Sequence, residues 1–375
     1  MHIRIWMLLP SLLWVSHSMH AQELSDRSAS RETQVLYQKL KKVVDRNQYL
    51  IGHQDDLAYG VYWKYQNGRS DVKDVIGDYP ALYGWELADL ELGHSVNIDG
   101  VPFDRMRSYI EEGCGRGGAI TIGWHINNPL TGKTAWDTTS GTVKSILPGG
   151  KKHRLFLRYL DSVANFIGSL KDPKGNLIPV LFRPFHELTG NWFWWGRQGC
   201  TPVELQSLFR YTVNYLRIVK QLHNLIIVYN TADNFMDEAD YMRGYPSDEY
   251  VDILSFDTYQ YGDSTHSIAF ANNLEKKLAL LKQIGEKHHK LIAIGEMGFN
   301  TIPDSRWFTS TIAPVLAKFP IAYTLFWRNA GYKPKEKEME YYIPYQGHSS
   351  ANDFKLYIDN GNVLTEKQFR NVVHP

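Results

Sequence analysis

The sequence predicts a single (β/α)8 barrel with long loops on one face. Eight short runs of apolar, β-branched or aromatic residues alternate with longer amphipathic stretches along the 375-residue chain, a pattern typical of a parallel barrel. No GxGxxG turn follows the first run, which argues against a dinucleotide-binding sheet. We find no low-complexity linker and no internal repeat, so residues 22–375 are expected to form one domain.

The chain begins with a predicted signal peptide for export, residues 1–21. Arg4 gives it a basic start, residues 5–15 are apolar, and a small and polar stretch leads to a cleavage point after Ser18 or Ala21. The apolar run is too short to cross a bilayer. No cysteine follows the cleavage point, so no lipid anchor is expected. The sequence therefore predicts an exported soluble protein, periplasmic or secreted, without a stable membrane anchor.

The eight runs are the predicted strands, and they follow a first helix over residues 31–46. The strands are expected at residues 49–54, 81–87, 119–125, 178–187, 225–230, 253–259, 291–297 and 321–327. Between the fourth and fifth strands, Thr201 and Glu204 form a capping box that begins a helix. Further helices are predicted over residues 155–170 and 274–285. The segments after the first and fifth strands are poorly patterned, so any helices there are expected to be short.

The composition narrows the class of function. The 41 Lys and Arg residues balance 40 Asp and Glu residues to a net charge of +1, so nucleic acid is not an expected partner. A content of 43% hydrophobic and 22% charged residues is that of a packed globular protein. The 11 Trp, 23 Tyr and 16 Phe residues supply flat faces that suit sugar rings as well as ordinary cores. Cys114 and Cys200 are compatible with either a disulfide or two free thiols.

Polar side chains gather at one end of the predicted barrel. Barrel enzymes hold their catalytic groups at the carboxyl ends of the strands, and here those ends carry residues that ionise, hydrogen-bond or stack. They are His53, Gln54, Glu86, Trp124, His125, His186, Glu187, Asn230, Asp257, Tyr259, Glu296, Trp327 and Arg328. A barrel that needed only stability would have no reason to concentrate them there.

Two of these residues, Glu187 and Glu296, end strands that begin as apolar runs. A buried carboxylate is costly unless it is paired or used. One interpretation is a structural salt bridge, for instance with Arg183 or Arg328. The second is a glycosidase, in which one carboxyl group protonates the leaving oxygen and the other attacks the anomeric carbon. The presence of two such glutamates, on strands four and seven, favours the glycosidase.

Four consecutive aromatic residues follow the first of these glutamates, in the loop at residues 190–196. Because four neighbouring aromatic side chains in a loop do not all point inward, we expect only some to be buried, with Phe193 over the barrel mouth. We expect Trp192 and Trp327 to stack on a sugar ring. Burial and stacking are equally compatible with the sequence for the remaining two, Trp194 and Trp195.

No metal and no cofactor is expected. The chain contains no HExxH motif, no CxxC pair and no EF-hand spacing. The histidines near the cleft also have structural interpretations, with His125 satisfied at its strand end and His186 orienting the glutamate that follows it. Asp257 and Tyr259 are compatible with a structural hydrogen-bonded pair. A tyrosine hydroxyl close to Glu296 would instead keep that glutamate ionised.

The segment Arg183-Pro-Phe-His-Glu-Leu-Thr-Gly-Asn-Trp-Phe-Trp-Trp-Gly196 resembles the acid/base signature of glycoside hydrolase family 26, whose best-known members are β-mannanases. Further matches to this family run in order through nearly all of the mature chain. They are Ile51-Gly-His-Gln54, Pro80-Ala-Leu-Tyr-Gly-Trp-Glu86, Gly123-Trp-His125, Asp257-Thr-Tyr259, Gly295-Glu-Met297 and Phe326-Trp-Arg328.

The resemblance implies a (β/α)8 barrel that acts with retention of configuration, with Glu187 as acid/base and Glu296 as nucleophile. His186 resembles the family histidine before the acid/base, and Trp192 the tryptophan five residues after it. Tyr259 resembles the tyrosine that hydrogen-bonds the nucleophile. Residues that resemble those lining the subsites nearest the scissile bond are His125, Asp257, Trp327 and Arg328.

The resemblance also implies a β-1,4-mannan or galactomannan substrate, and we expect a monomer. The same family contains mixed-linkage β-glucanases and β-1,3-xylanases with similar signatures. In its mannanases the second residue after the acid/base is often Asn, and here it is Thr189, which puts detailed contacts rather than activity in doubt. Retention requires carboxyl groups about 5–5.5 Å apart, against about 6.5–9.5 Å for inversion, so we expect the short separation.

Three long loops leave the mode of attack open. They follow strands two, three and eight, at residues 88–101, 126–151 and 329–353, and loops of this length are more often functional than idle. They are compatible with a blocked cleft that releases mannobiose from chain ends, and equally with extra subsites along an open groove. An aromatic cleft of this kind would also suit a sugar-binding protein that has lost catalysis, or a transglycosylase that passes the sugar to another sugar.

Overall fold

The computed structural model describes residues 24–372, and its central feature is a ring of eight parallel strands. The strands are β1 (Tyr49–Gln54), β2 (Leu82–Glu86), β3 (Ala119–Trp124), β4 (Val180–Pro184), β5 (Leu225–Ala232), β6 (Ile253–Gln260), β7 (Leu291–Phe299) and β8 (Ile321–Phe326). Each pairs with the next, and β8 pairs with β1 to close the ring. The predicted (β/α)8 barrel is therefore confirmed. The short strand Val363–Leu364 adds to the outer side of β1 at its start.

Helices connect the strands, as the amphipathic stretches predicted. They are Arg31–Asp45, Asp71–Ile76, Phe103–Arg116, Thr142–Ile146, His153–Ser169, Pro202–Asn214, Glu238–Tyr241, Ser267–His288, Ala313–Leu316, Ala351–Asp359 and Glu366–Arg370. The capping box between Thr201 and Glu204 is present. The expected short helices follow β1 and β5. The helix predicted over residues 274–285 begins earlier, at Ser267, because Phe270 extends its buried face by one turn.

The helix Arg31–Asp45 closes the barrel at the amino-terminal ends of the strands. Ser30 caps its start by accepting a hydrogen bond from the backbone N–H of Thr33. Leu40 and Val43 of this helix are fully buried, in one cluster with residues from strands all around the ring. Apolar side chains thus fill this end of the barrel, and the polar side chains gather at the opposite end.

Two small antiparallel pairs of strands lie in loops at the carboxyl ends. Tyr59–Gly60 pairs with Trp63–Lys64 after β1, and Gly331–Lys333 pairs with Glu338–Glu340 after β8. They fix the shape of the loops after β1 and β8. Within residues 24–372, no helix has the length and apolar character needed to cross a membrane. The predicted signal peptide lies outside the described residues.

Both cysteines are free thiols, so the disulfide that the sequence left open is not formed in the structure. Cys114 lies in the helix Phe103–Arg116, and Cys200 lies just before the helix Pro202–Asn214. Burial raises the pKa of both thiols, to about 11 for Cys114 and about 12 for Cys200. Both are therefore uncharged at neutral pH and serve as packing side chains.

Candidate active site

Glu187 lies just beyond β4 and not within it, so the prediction of a strand through residue 187 is wrong. The strand ends at Pro184, and the φ angles of Phe185 and Glu187 are 52° and 50°. Residues other than glycine seldom adopt this left-handed region, which costs them about 1–3 kcal/mol, and active sites are one place where such residues cluster. The apolar residue pattern that predicted the strand does not indicate such a turn. The turn brings the backbone N–H of Glu187 within 3.3 Å of Oδ1 of Asn230.

Glu296 lies within β7, next to a β-bulge. Across the β6–β7 pair, Phe256 is opposite Ile294 whereas Asp257 is opposite Glu296, so Gly295 is the extra residue. A Cβ atom on Gly295 would lie 2.2 Å from Nδ2 of Asn230 and 2.5 Å from Oδ1 of Asp257. Glycine is therefore required here for the polar side chains of β5 and β6 to lie beside Glu296.

Three carboxylates meet at the mouth of the barrel. Oxygen atoms of Glu187, Asp257 and Glu296 all lie within 4.8 Å of one another. For Glu187 and Glu296 this spacing is closer to the separation of about 5–5.5 Å in retaining glycosidases than to the separation of about 6.5–9.5 Å in inverting enzymes.

Arg183 balances the charge of two of these carboxylates. Its guanidinium group forms an ion pair with Glu296 and a second one, of 3.0 Å, with Oδ2 of Asp257. The salt bridge that the sequence also allowed as a structural interpretation is therefore present, within the cleft. The Tyr259 hydroxyl donates a 2.7 Å hydrogen bond to Oε2 of Glu296. Arg183 and Tyr259 thus hold the two oxygens of Glu296 and stabilise its negative charge.

The sequence suggested a hydrogen bond between Asp257 and Tyr259, but in the structure Asp257 has other partners. Its hydrogen bonds come from Arg183 and from Nδ2 of Asn230, at 2.8 Å, and no bond joins it to Tyr259. Asn230 therefore connects Asp257 to Glu187, since its Oδ1 also accepts from the backbone N–H of Glu187. A single amide side chain fixes the relative positions of the residues around both glutamates.

The environment of Glu187 favours its protonated form. Burial, and then the charge of Glu296, raise the pKa of Glu187 to about 7. A 2.6 Å hydrogen bond from Nε1 of Trp192 acts in the opposite direction. A carboxyl group with this pKa carries its proton for much of the time at neutral pH, which a general acid requires.

A buried charged pair lies beside the three carboxylates. Nδ1 of His125 lies 2.7 Å from Oε2 of Glu86, and Nε2 of His125 lies 3.0 Å from Nε2 of His186. Burial alone would lower the pKa of His125, but the Glu86 carboxylate overcomes this effect and raises it. Burial and the neighbouring His125 hold the pKa of His186 well below its usual range. The surroundings thus favour the protonated form of His125 and the neutral form of His186.

Both ring nitrogens of His125 have partners inside the protein, as the structural interpretation of this strand-end histidine expected. The contact of His186 differs from the one that the sequence suggested. The hydrogen bond of His186 goes to His125 and not to the carboxyl group of Glu187. From the sequence, Glu86 is predicted only as a polar residue at the end of a strand. Its contact with His125 joins β2 to the end of β3, and the local sequence pattern does not predict this contact.

In the aromatic loop only some of the four aromatic side chains are buried, as predicted. Phe193, Trp194 and Trp195 are buried, and both of these tryptophans donate their indole N–H groups to backbone carbonyls. Trp192 alone of the four is open to the cleft, with 40% of its surface exposed. Sequence analysis missed Trp136, which is 51% exposed and stacks on His125 with ring centres 5.2 Å apart. Trp136 belongs to the patternless loop after β3, so no sequence signal identified it.

Trp327 and Arg328 follow β8 directly. The backbone N–H of Trp327 bonds to the carbonyl of Met297, which keeps it beside β7. Arg328 forms ion pairs with Asp99, from the loop after β2, and with Glu340, from the loop after β8. Arg328 therefore joins two of the three long loops at the edge of the mouth.

Among residues 24–372, the three carboxylates form the acidic group whose spacing would suit a cation. The Arg183 guanidinium already occupies the side shared by Asp257 and Glu296 and supplies positive charge there. Two carboxyl groups at short range, one of which has a raised pKa, are the equipment for cleaving a glycosidic bond. The fold and the site together define a (β/α)8 glycoside hydrolase.

Comparison with known proteins identifies the family. A sequence profile for Glycosyl hydrolase family 26 matches residues 25–327, and the chain belongs to this family. The structure of a GH26 beta-mannanase from Bacteroides ovatus, BoMan26A, superposes with a TM-score of 0.86 at 40% sequence identity, covering 92% of this chain and 99% of that one. The catalytic domain of a Bacillus sp. JAMB-750 GH26 endo-beta-1,4-mannanase has a TM-score of 0.82 at 32% identity, covering 94% and 96% of the two chains.

Longer relatives also match. A mannan endo-1,4-beta-mannosidase of Bifidobacterium adolescentis is 31% identical over 362 residues, which are 92% of this chain and 36% of that protein. One of Thermothelomyces thermophilus is 28% identical over 312 residues, or 79% of this chain and 56% of the other. The chain thus spans only about a third to a half of the length of these two relatives.

Proposed function

We propose that this chain is a retaining endo-β-1,4-mannanase, with Glu187 as the acid/base and Glu296 as the nucleophile. The observation that carries the proposal is the pair itself, with carboxylate oxygens within 4.8 Å of each other in opposite electrostatic environments. Glu187 has a pKa raised to about 7, whereas Glu296 is held by Arg183 and Tyr259.

In the first step, an ionised carboxylate oxygen of Glu296 attacks the anomeric carbon of the sugar. Glu187 gives its proton to the glycosidic oxygen as the bond to the leaving sugar breaks. A covalent glycosyl ester of Glu296 results, and Glu187 is left as a carboxylate. The negative charge that raised the pKa of Glu187 has now been consumed in the ester.

In the second step, Glu187 works as a base. Without the charge of Glu296 beside it, the pKa of Glu187 falls and the carboxylate form persists. It takes a proton from water as the water oxygen attacks the anomeric carbon from the face that the leaving sugar vacated. The ester bond breaks, Glu296 becomes a free carboxylate again, and the sugar keeps its original configuration.

Several residues are proposed to bind the sugar around the scissile bond. Trp192 offers an exposed indole face and also touches Glu187 through its N–H. Trp327 and Arg328 are proposed to line the other side of the mouth. Asp257, His125 and His186 are proposed to line the cleft beside the two glutamates, held in place by Asn230 and Glu86 and by the contact between the two histidines.

The choice of mannan is supported by the names of the relatives. The Bifidobacterium and Thermothelomyces proteins are both mannan endo-1,4-beta-mannosidases, and the aligned structures are described as mannanases. We also propose that residues 1–21 direct export and are removed, and that the enzyme acts as a monomer in the periplasm or outside the cell. Size-exclusion chromatography and N-terminal sequencing of the exported protein test these two points.

A second mode of attack has one observation in its favour. The ion pair between Asp99 and Arg328 joins the loops after β2 and β8 at the rim of the mouth. Loops joined in this way can wall off a cleft, and a walled cleft would release mannobiose from chain ends instead of cutting within the chain.

The test is a time course of products from mannohexaose and galactomannan, with lichenan and β-1,3-xylan in parallel. An early spread of oligosaccharides and a fast fall in viscosity would support internal cleavage. Mannobiose alone from the start, at nearly constant viscosity, would assign chain-end attack. Activity restricted to lichenan or xylan would overturn the mannan assignment, and products longer than the substrate would indicate sugar transfer.

The same assay with Glu187→Gln and Glu296→Ala separates an enzyme from a sugar-binding protein. Loss of hydrolysis in both variants is expected. Full hydrolysis by either variant would contradict the assigned roles. The anomeric form of the first product, read by NMR, distinguishes retention from inversion.

A further inference from the structure

A pocket of about 400 Å³ opens at the carboxyl-terminal end of the barrel, away from the two glutamates. One wall is the antiparallel pair Tyr59–Gly60 with Trp63–Lys64, and the opposite wall contains Ala330 and Tyr332, with Asp99 between them. We call it the Tyr62 pocket, after the tyrosine at its rim. Ligand sites in proteins span about 300–1,000 Å³, so this pocket has room for a small ring compound.

The pocket is held in shape by one buried carboxylate. Oδ2 of Asp71 accepts hydrogen bonds from the backbone N–H of Val61, at 2.9 Å, and from Nδ2 of Asn329, at 2.8 Å. Its Oδ1 accepts from Nε1 of Trp63 at 2.8 Å. Asp71 is only 3% exposed. The loops that form the two walls are therefore fastened to the same side chain, and a pocket built this way does not have to be ordered by its ligand.

The two walls also approach each other closely at Gly331. Its φ is 73°, and a Cβ atom there would lie 2.5 Å from the carbonyl oxygen of Val61. Only glycine permits both this backbone conformation and this contact. The close approach fixes the floor of the pocket and the positions of the side chains above it.

Two aromatic rings stand at the rim with their faces open. Tyr62 is 71% exposed and Tyr332 is 59% exposed. The rings of Tyr62 and Tyr345 pack in a T-shaped pair, with centroids 5.0 Å apart and planes at 80°, which restricts the orientation of Tyr62 while most of its surface stays exposed. Rigid tyrosine rings with a free face beside polar groups are suited to stacking on sugars and hydrogen-bonding their hydroxyls.

The polar groups of the pocket have opposite charges. Lys64 lines it, and so does Asp99, whose side chain is 5% exposed. Oδ2 of Asp99 has no hydrogen-bond partner among the described residues. One ammonium and one carboxylate give the pocket no net preference for an anion or a cation. A neutral ligand with several hydroxyl groups fits this lining better than a charged one.

The pocket adjoins the proposed cleft through Asp99. Asp99 lines the pocket and forms an ion pair with Arg328, which follows β8 beside the strand of Glu296. The charge of Asp99 also acts on His125. The Asp99–Arg328 ion pair therefore connects the pocket lining to the residues at the mouth of the barrel.

We propose that the Tyr62 pocket is a subsite for one neutral hexopyranose unit of the polysaccharide substrate, with Tyr62 and Tyr332 stacking on the ring and Lys64 binding its hydroxyls. The inference rests on the proposed mannanase activity. The hexose belongs either to the main chain, as a mannosyl unit, or to a branch, as a galactosyl unit.

The experiment compares wild type with Tyr62→Ala and Tyr332→Ala on linear mannotetraose to mannohexaose and on galactosyl-mannopentaose. KM is measured for each combination of enzyme and substrate. Both rings are exposed, so the variants are expected to fold, and thermal unfolding verifies this. The matched control is Ile268→Ala, which removes a side chain that is 76% exposed on the outer helix Ser267–His288.

We expect both tyrosine variants to raise KM by about 5- to 10-fold for the substrates that reach the pocket. An increase confined to the longer linear substrates assigns a main-chain unit, and one confined to the branched substrate assigns a galactosyl branch. The control should match wild type throughout. If neither tyrosine variant changes KM for any substrate that wild type hydrolyses, the pocket is not a subsite. If wild type hydrolyses no β-mannan at all, the proposed function fails, and the subsite inference fails with it.

Discussion

The indole N–H of Trp192 donates a 2.6 Å hydrogen bond to Oε2 of Glu187, from a ring that is 40% exposed to the cleft. One side chain therefore both presents a face to a sugar and touches the proposed acid/base. The bond favours the ionised form of Glu187, in opposition to burial and to the charge of Glu296. We therefore propose that Trp192 affects the upper pH limit of activity as well as binding the sugar.

For Trp192→Phe we expect the alkaline limb of kcat/KM to move to higher pH. Glu187 must be protonated to act as the acid, so activity is lost as pH rises through its pKa, which is about 7 in the wild type. Phenylalanine keeps an aromatic face but removes the donor that lowers this pKa. Trp136→Phe is the matched control, because Trp136 stacks on His125 and donates nothing to Glu187. An unchanged limb in Trp192→Phe would mean that another group controls it.

Glu187→Gln and Glu296→Gln are expected to differ in the step that they block. Glu187→Gln removes the proton donor and should slow hydrolysis of mannan about 10²- to 10⁴-fold. A dinitrophenyl mannobioside needs no proton to leave, so with this substrate Glu187→Gln should give a burst of phenolate followed by slow turnover. Glu296→Gln should give no burst, because no glycosyl ester can form. A burst from Glu296→Gln, or none from Glu187→Gln, would reverse or refute the roles.

Glu86→Gln tests the charged pair behind the site. The substitution keeps the size of the side chain and an oxygen that accepts from the backbone N–H groups of Ala88 and His125. It removes the charge that raises the pKa of His125. We expect that pKa to fall, as followed by NMR of the imidazole protons, while the melting temperature changes little.

The same substitution has a consequence for Glu187. The positive charge of His125 lowers the pKa of Glu187, so a neutral His125 should move the alkaline limb of kcat/KM upward. Tyr83→Phe is a suitable control, since Tyr83 is a buried β2 residue that bonds to Glu366 and Arg116, away from the site. If the His125 pKa is unchanged in Glu86→Gln, then Glu86 does not hold its proton.

The strands and the two glutamates could be predicted from sequence because buried strands of a barrel are continuous apolar runs. β7 is an example, since residues 291–294 are all apolar and Glu296 follows within two positions. The predicted end of β4 is wrong because the left-handed φ angles of Phe185 and Glu187 depend on contacts with β5, such as the bond to Asn230. The local sequence pattern does not predict those contacts.

The parts of the site that the sequence did not reveal depend on contacts between distant loops. Trp136 has no periodic context, and it is placed only when its loop folds over His125. Asp71 begins a short helix after β1, and nothing near it in sequence indicates that it binds Asn329, which follows β8. The sequence gives the type of each of these residues but not its contacts. Asp71 and Asn329 become neighbours only when β8 pairs with β1 and closes the barrel.

Gly295→Ala is expected to damage stability and activity together. The new Cβ would lie 2.2 Å from Nδ2 of Asn230 and 2.5 Å from Oδ1 of Asp257, and these side chains belong to the network that positions Glu187 and Glu296. Neither is the free end of a flexible chain, so the strand itself must shift. We expect the free energy of unfolding to fall by about 1–3 kcal/mol and kcat/KM to fall as the carboxylates separate.

Gly115→Ala provides the control for Gly295→Ala. Gly115 lies in the helix Phe103–Arg116, and its added Cβ would meet no described atom within 4 Å. Alanine is a better helix former than glycine, so this variant should gain about 0.5–1 kcal/mol and keep wild-type kcat/KM. Urea unfolding and mannan hydrolysis measure both effects. If Gly295→Ala retained wild-type activity and stability, the bulge at residue 295 would have room for a side chain. In that case the close packing of Asn230 and Asp257 against residue 295 would not be what positions Glu296.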